Sequence, residues 1–279
     1  MNYYCLIAGL PDIQIEDTKG VQSMAELKSE LLAELSDKDA VLLKLVFAKY
    51  DNENLLAYIK NRDSILNPAA NLNTEDWDEV ISIMKEFENP KDVRILPYVN
   101  KFYSLYNDEK FESKSILIDN YLSNLYYEYA MKSGNPFLSK WFEFNLNINN
   151  LLTAITCRKY EFDHKTQVLG SNEIAETIRQ SNARDFGLSG MFDQLEAVIR
   201  IADETDLLQR EKKIDALKWE FLEENTFFNY FTVEKVLVYV LKMEMIERWK
   251  LLSVEKGSKI FRELLESLKE GVNFDDETA

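Results

Sequence analysis

Glu244 and Arg248 stand four residues apart in VEKVLVYVLKMEMIERWKLLSVEKG, Val233 to Gly257, with the acid nearer the N-terminus. On a helix this order puts both side chains on one face. It suits either an intrahelical ion pair or a charged contact with another surface. Arg158 closes NNLLTAITCR, where a cation meets the negative end of a helix dipole. Asn145, Asn147, Asn149 and Asn150 in FNLNINN fall on several faces of a helix, and each needs hydrogen-bond partners. Chemistry of other kinds finds little footing. DFGLSG, Asp185 to Gly190, sets Ser189 between Leu188 and Gly190, so it is not a G-x-S-x-G elbow, and His164 is the sole histidine a triad could use. Its DFG lacks the H-R-D partner of a kinase and reads as a turn between helices. Phosphate-binding glycine loops of either common type are absent. DETD and FDDE read as a helix-cap region and a solvated tail rather than a paired acid and base. Cys5, Cys157 and His164 form neither a disulfide framework nor a histidine metal cluster. No catalytic, cofactor-binding or metal residue is assigned, and the chain is read as non-enzymatic.

The elements that must position these residues are helices. With 8 Gly and 5 Pro in 279 residues, breakers are sparse and amphipathic segments run long. Ser23-Met24-Ala25-Glu26 has the form of a capping box, and Ser36 caps a second helix to about Asn61, giving an antiparallel pair. Thr74 is expected to open EDWDEVISIMKEFE, and Pro97 a short aromatic helix. A segment from about Ser115 to Lys132 ends at Gly134, and Pro136 starts a helix to about Tyr160. An exposed turn is expected around His164, then short helices near 172–181 and 191–203, then a charged helix capped by Thr205. Phe231 to Lys256 contains no Gly or Pro, so Thr232 to Gly257 bounds one helix of about 25 residues. Its apolar run Val236 to Leu241 demands enclosure by protein, while its charged second half must meet something polar. SKIFRELLESLKE forms the last helix.

A weak internal repeat accompanies these helices. Asp51 to Arg62 aligns with Asn147 to Arg158 at a spacing of 96, with identities at Asn54/Asn150, Leu55/Leu151, Leu56/Leu152, Ile59/Ile155 and Arg62/Arg158. The next step lands at Met243 without identity. The net charge of −16 disfavours nucleic acid and anionic lipid as partners, and no run is long enough to insert in a bilayer.

NINNLLTAITCR resembles the D-x-x-N-L element of the C subunit of bacterial and archaeal V-type (A-type) ATPases, called subunit d in eukaryotes. Asn150, Leu151, Thr153 and Arg158 match it, while Asn147 replaces the aspartate. VLVYVLKMEMIERWKLLSVEKG is similar to that family's C-terminal element, matching at Tyr239, Leu241, Glu244 and Arg248, with MIER where Glu-Ile-Arg is expected. The chain is shorter than is usual for that family, and over most of its length it looks closer to a divergent bacterial group whose genes accompany V-type ATPase genes. The resemblance implies an all-α, funnel-like single unit over 1–279, with pseudo-threefold repeats centred near 51–62, 147–158 and 239–254. It implies a non-catalytic central-stalk adaptor that transmits torque from the shaft subunit to the membrane rotor ring, cytoplasmic and peripheral to the inner membrane. Asn150, Arg158, Tyr239, Glu244, Arg248 and Trp249 would then meet the partner. The competing expectation is a free-standing helical interaction scaffold that keeps the fold without the rotor role.

Overall fold

A computed structural model describes residues 2–17, 22–107 and 117–251. Eleven α-helices and no strand occur among them. The first three are α1 (Tyr4–Gly9), α2 (Met24–Glu34) and α3 (Asp37–Lys60). Next come α4 (Thr74–Glu86), α5 (Pro97–Tyr106), α6 (Ile118–Ala130) and α7 (Pro136–Lys159). A 3-10 turn at His164–Thr166 precedes α8 (Glu173–Gln180), α9 (Leu195–Ala202), α10 (Leu207–Glu224) and α11 (Val233–Leu251). The expected extension of α11 to Lys256 and the helix SKIFRELLESLKE lie outside the described residues.

Cap chemistry sets most boundaries. Ser23 and Glu26 form the predicted capping box, and Ser36 accepts the Asp39 amide at the head of α3. Two expected caps move by one residue. Asn73, not Thr74, caps α4, because its amide oxygen accepts the Asp76 N–H while the Asp76 carboxylate returns to the Asn73 N–H. Asp206, not Thr205, caps α10, since its carboxylate takes the amides of both Leu208 and Gln209. At α4 the reciprocal bonds of a capping box, and at α10 a carboxylate that takes two amides, set the cap in place of the threonine. Pro136 stands at the first position of α7, after a turn in which Gly134 adopts φ +78°. Alternation in WFEFNLNIN, which also suits a strand, is overridden: the segment is the middle of α7.

Three long helices organise the core. They begin at Asp37, Pro136 and Val233. α3 packs on α2, α6 and α11; α7 on α6, α8 and α9; α11 on α2, α3 and α10. The apolar run of α11 is enclosed as its composition requires, with Val236, Leu237 and Val240 fully buried and Tyr239 half-buried. Each such aliphatic side chain contributes about 1.5–3 kcal/mol relative to exposure.

The asparagines of α7 are all provided for. Asn145 donates to the Trp141 carbonyl, Asn147 accepts from Asn172, and Asn149 donates to the Tyr127 hydroxyl. Asn150 makes a two-point clamp on Leu169, donating to its carbonyl at 2.7 Å and accepting its N–H at 2.8 Å. On α3, Asn54 clamps Asn67 in the same way, at 3.1 Å and 2.7 Å. Three residues earlier in each helix, Asp51 accepts from Asn71 and Asn147 accepts from Asn172. The aligned residues therefore do the same work, anchoring the loop that leads to the next helix.

Candidate central cavity and the charged half of α11

α3, α6, α7 and α11 wall a cavity of about 410 Å³. α3 contributes Lys49, Asn52 and Glu53, α6 Asp119, α7 Trp141 and Phe142, and α11 Leu241 and Glu244. One lysine thus faces three acids. Glu244 pairs with Lys49 at 2.8 Å through Oε2, with only 11% of its side chain exposed, while Oε1 is buried without a hydrogen-bond partner. Burial pushes the Glu244 carboxyl above its ordinary pKa; the Lys49 ammonium opposes this, and Glu247 and Glu53 reinforce it.

Arg248 turns the other way. Its guanidinium donates to Glu211 at 3.2 Å and to Asp215, both on α10. Trp249 Nε1 donates to the same Asp215 carboxylate at 2.7 Å, and that side chain is 3% exposed. Glu244 and Arg248 therefore bond to different neighbours rather than to each other. A step of four residues rotates the helix by about 40°, enough for helices packed on either side to supply the nearer partner. Beside this cluster Lys218 is pushed down to about 8 by burial, with Asp215 opposing the shift.

Arg158 and Asn150 stand with other partners. Arg158 caps no carbonyl of its own helix; it donates to the carbonyls of Ala183 and Arg184 at 2.8 and 3.0 Å and lies 3.8 Å from the centre of the Phe186 ring. It thereby fixes the DFGLSG turn between α8 and α9, in which Phe186 is fully buried at φ 54° and Gly187 and Gly190 are also left-handed. His164 is half-buried rather than exposed, with Nε2 3.0 Å from the Ile178 carbonyl oxygen. Tyr239 packs on the core, and burial raises its pKa.

Of the six residues expected to meet a partner, Glu244 lines the cavity, Arg248 and Trp249 share Asp215, and Asn150, Arg158 and Tyr239 serve internal packing. Sequence reading missed Lys49, Asp119 and Asp215, whose positions carry no local signal apart from being charged within helices. No group of three or more His, Cys, Asp or Glu among the described residues could hold a metal ion. No helix among them is long and apolar enough to cross a membrane.

Residues 1–272 match the family described as "Protein of unknown function (DUF2764)". The chain belongs to that family. No curated protein and no solved structure matches it.

Proposed function

We propose that the protein is a non-catalytic adaptor of a V-type ATPase central stalk, joining the shaft subunit to the membrane rotor ring and carrying torque between them. The observation that carries this reading is the meeting of the three long helices at one acidic cavity, where Glu244 keeps a buried carboxylate oxygen unpaired. A buried polar atom without a partner is costly, and a basic group on an inserted shaft tip would satisfy it. The helices begin at Asp37, Pro136 and Val233, a near-regular spacing that agrees with a three-lobed funnel built from a repeated unit. Rigidity is the other requirement of a torque link. The two asparagine clamps tie the loops after α3 and α7 to the helices themselves.

Within this reading Glu53, Asp119 and Glu244 face the shaft, while Arg158 and Arg248 hold the walls. Glu53 and Asp119 are exposed on the cavity rim, so reversing them leaves the core intact. Co-purification with shaft and ring subunits at low salt is the test. Association that falls as salt rises, and falls further in Glu53→Lys/Asp119→Lys, is expected. Failure to associate with any ATPase subunit leaves the free-standing helical scaffold as the reading.

A further inference from the structure

A second and larger cavity, of about 680 Å³, lies between α2, α3, α4, α5 and the segment after α6. Its size falls within the range of small-molecule sites, roughly 300–1,000 Å³. Five buried side-chain atoms among the described residues have no hydrogen-bond partner, and three belong to residues lining this cavity: Trp77 Nε1, Asn71 Oδ1 and Ser133 Oγ. Trp77 is 1% exposed. The three differ in kind, for an indole N–H only donates, an amide oxygen only accepts, and a hydroxyl does both. Such groups are rarely left unpaired in a folded protein unless something else completes them.

Charge narrows the class of ligand. Four cations, Lys28, Lys44, Arg94 and Lys132, line this cavity against two acids, Asp51 and Asp76. The other three cavities described all carry more acids than cations. Cations outnumber acids on the lining of this cavity although the chain carries a net charge of −16, and the cations that matter are those left without an acid. Arg94 is held by Asp76, Glu79 and Asp92, and Lys28 donates to the carbonyls of Ala69 and Ala70. Lys44 and Lys132 are exposed and form no ion pair among the described residues.

We infer that this cavity binds an amphiphilic organic anion: Lys44 and Lys132 take its charged group, its apolar body lies among aliphatic and aromatic walls, and polar atoms on that body meet Trp77, Asn71 and Ser133. The site is separate from the acidic cavity and owes nothing to the rotor reading.

The test uses the whole chain and two fluorescent probes with one body, anilinonaphthalene sulfonate and the uncharged N-phenyl-1-naphthylamine. The sulfonate is expected to bind one per chain in a saturable way. Lys44→Glu/Lys132→Glu should weaken it at least tenfold, and should leave the uncharged probe unchanged. Ser133→Ala should weaken both probes severalfold, because the N–H they share can donate to the Ser133 hydroxyl oxygen. Both lysines are exposed, so the reversed protein should keep the wild-type melting temperature, which separates lost binding from lost folding. Absence of saturable sulfonate binding overturns the proposal, as does wild-type sulfonate affinity in the folded double reversal.

Discussion

Asn54 and Asn150 each spend a side-chain amide on both backbone groups of one loop residue, Asn67 and Leu169. Removing either amide leaves a donor and an acceptor unpaired, so Asn150→Ala should cost about 2–4 kcal/mol in urea unfolding, and Asn54→Ala a similar amount. Loss below 1 kcal/mol at both positions would contradict the clamp. The identity of these asparagines is visible at a spacing of 96, but their partners are not, since they lie 13 and 19 residues further on. Asp51 offers a test by pH. Burial, opposed by hydrogen bonds from Leu72 and Asn71, pushes its carboxyl up to about 6 from an ordinary value of 3.8. The folded state therefore binds the proton more tightly, and Asp51's contribution is full below about pH 4, falls as pH rises towards 6, and is flat above. At two units this amounts to about 3 kcal/mol. Asn147 fills the aligned position, so Asp51→Asn should fold and lose this downward slope. An identical slope in wild type and variant between pH 4 and 6 would assign the effect elsewhere.

At the scale of the element, helix existence was legible and helix ends were legible where a single side chain decides them. Ser23, Ser36 and Pro136 announce their helices, whereas Asn73 and Asp206 compete with an adjacent threonine, and only geometry shows which side chain accepts the first-turn amides. Asn73→Ala is expected to lower stability by about 1 kcal/mol, and Thr74→Ala by a few tenths, measured as shifts of the thermal midpoint. Gly170 is tighter still. It sits at φ +80°, and a Cβ there would meet Leu146 Cδ2 at 2.6 Å. Gly170→Ala should destabilise by more than 1 kcal/mol, through strain and through displacement of Leu146. The divided composition of α11 was read correctly as an enclosed half followed by a half in polar surroundings. Which polar surroundings could not be read, because Lys49 lies on α3 and Asp215 on α10, far away in sequence. Arg248→Ala should cost about 1–3 kcal/mol, since it takes the guanidinium from the nearly inaccessible Asp215 carboxylate and leaves the uncharged Trp249 N–H as its hydrogen-bond donor.

For the molecule as a whole, sparse glycine and proline and strong caps predicted the all-helical architecture, while the acidic cavity was invisible because four helices distant in sequence build it. Under the proposed adaptor role, the shaft contact falls on Glu53, Asp119 and Glu244 at this cavity, while Arg158 and Arg248, expected from the motifs to meet the partner, bond within the chain. Binding of the purified chain to the isolated shaft subunit at low salt, wild type against Glu53→Lys/Asp119→Lys, is the most direct measurement of that claim. Saturable binding that weakens at least tenfold in the double reversal and declines with added salt is expected. No binding at low salt, or equal binding by wild type and reversal, would contradict it.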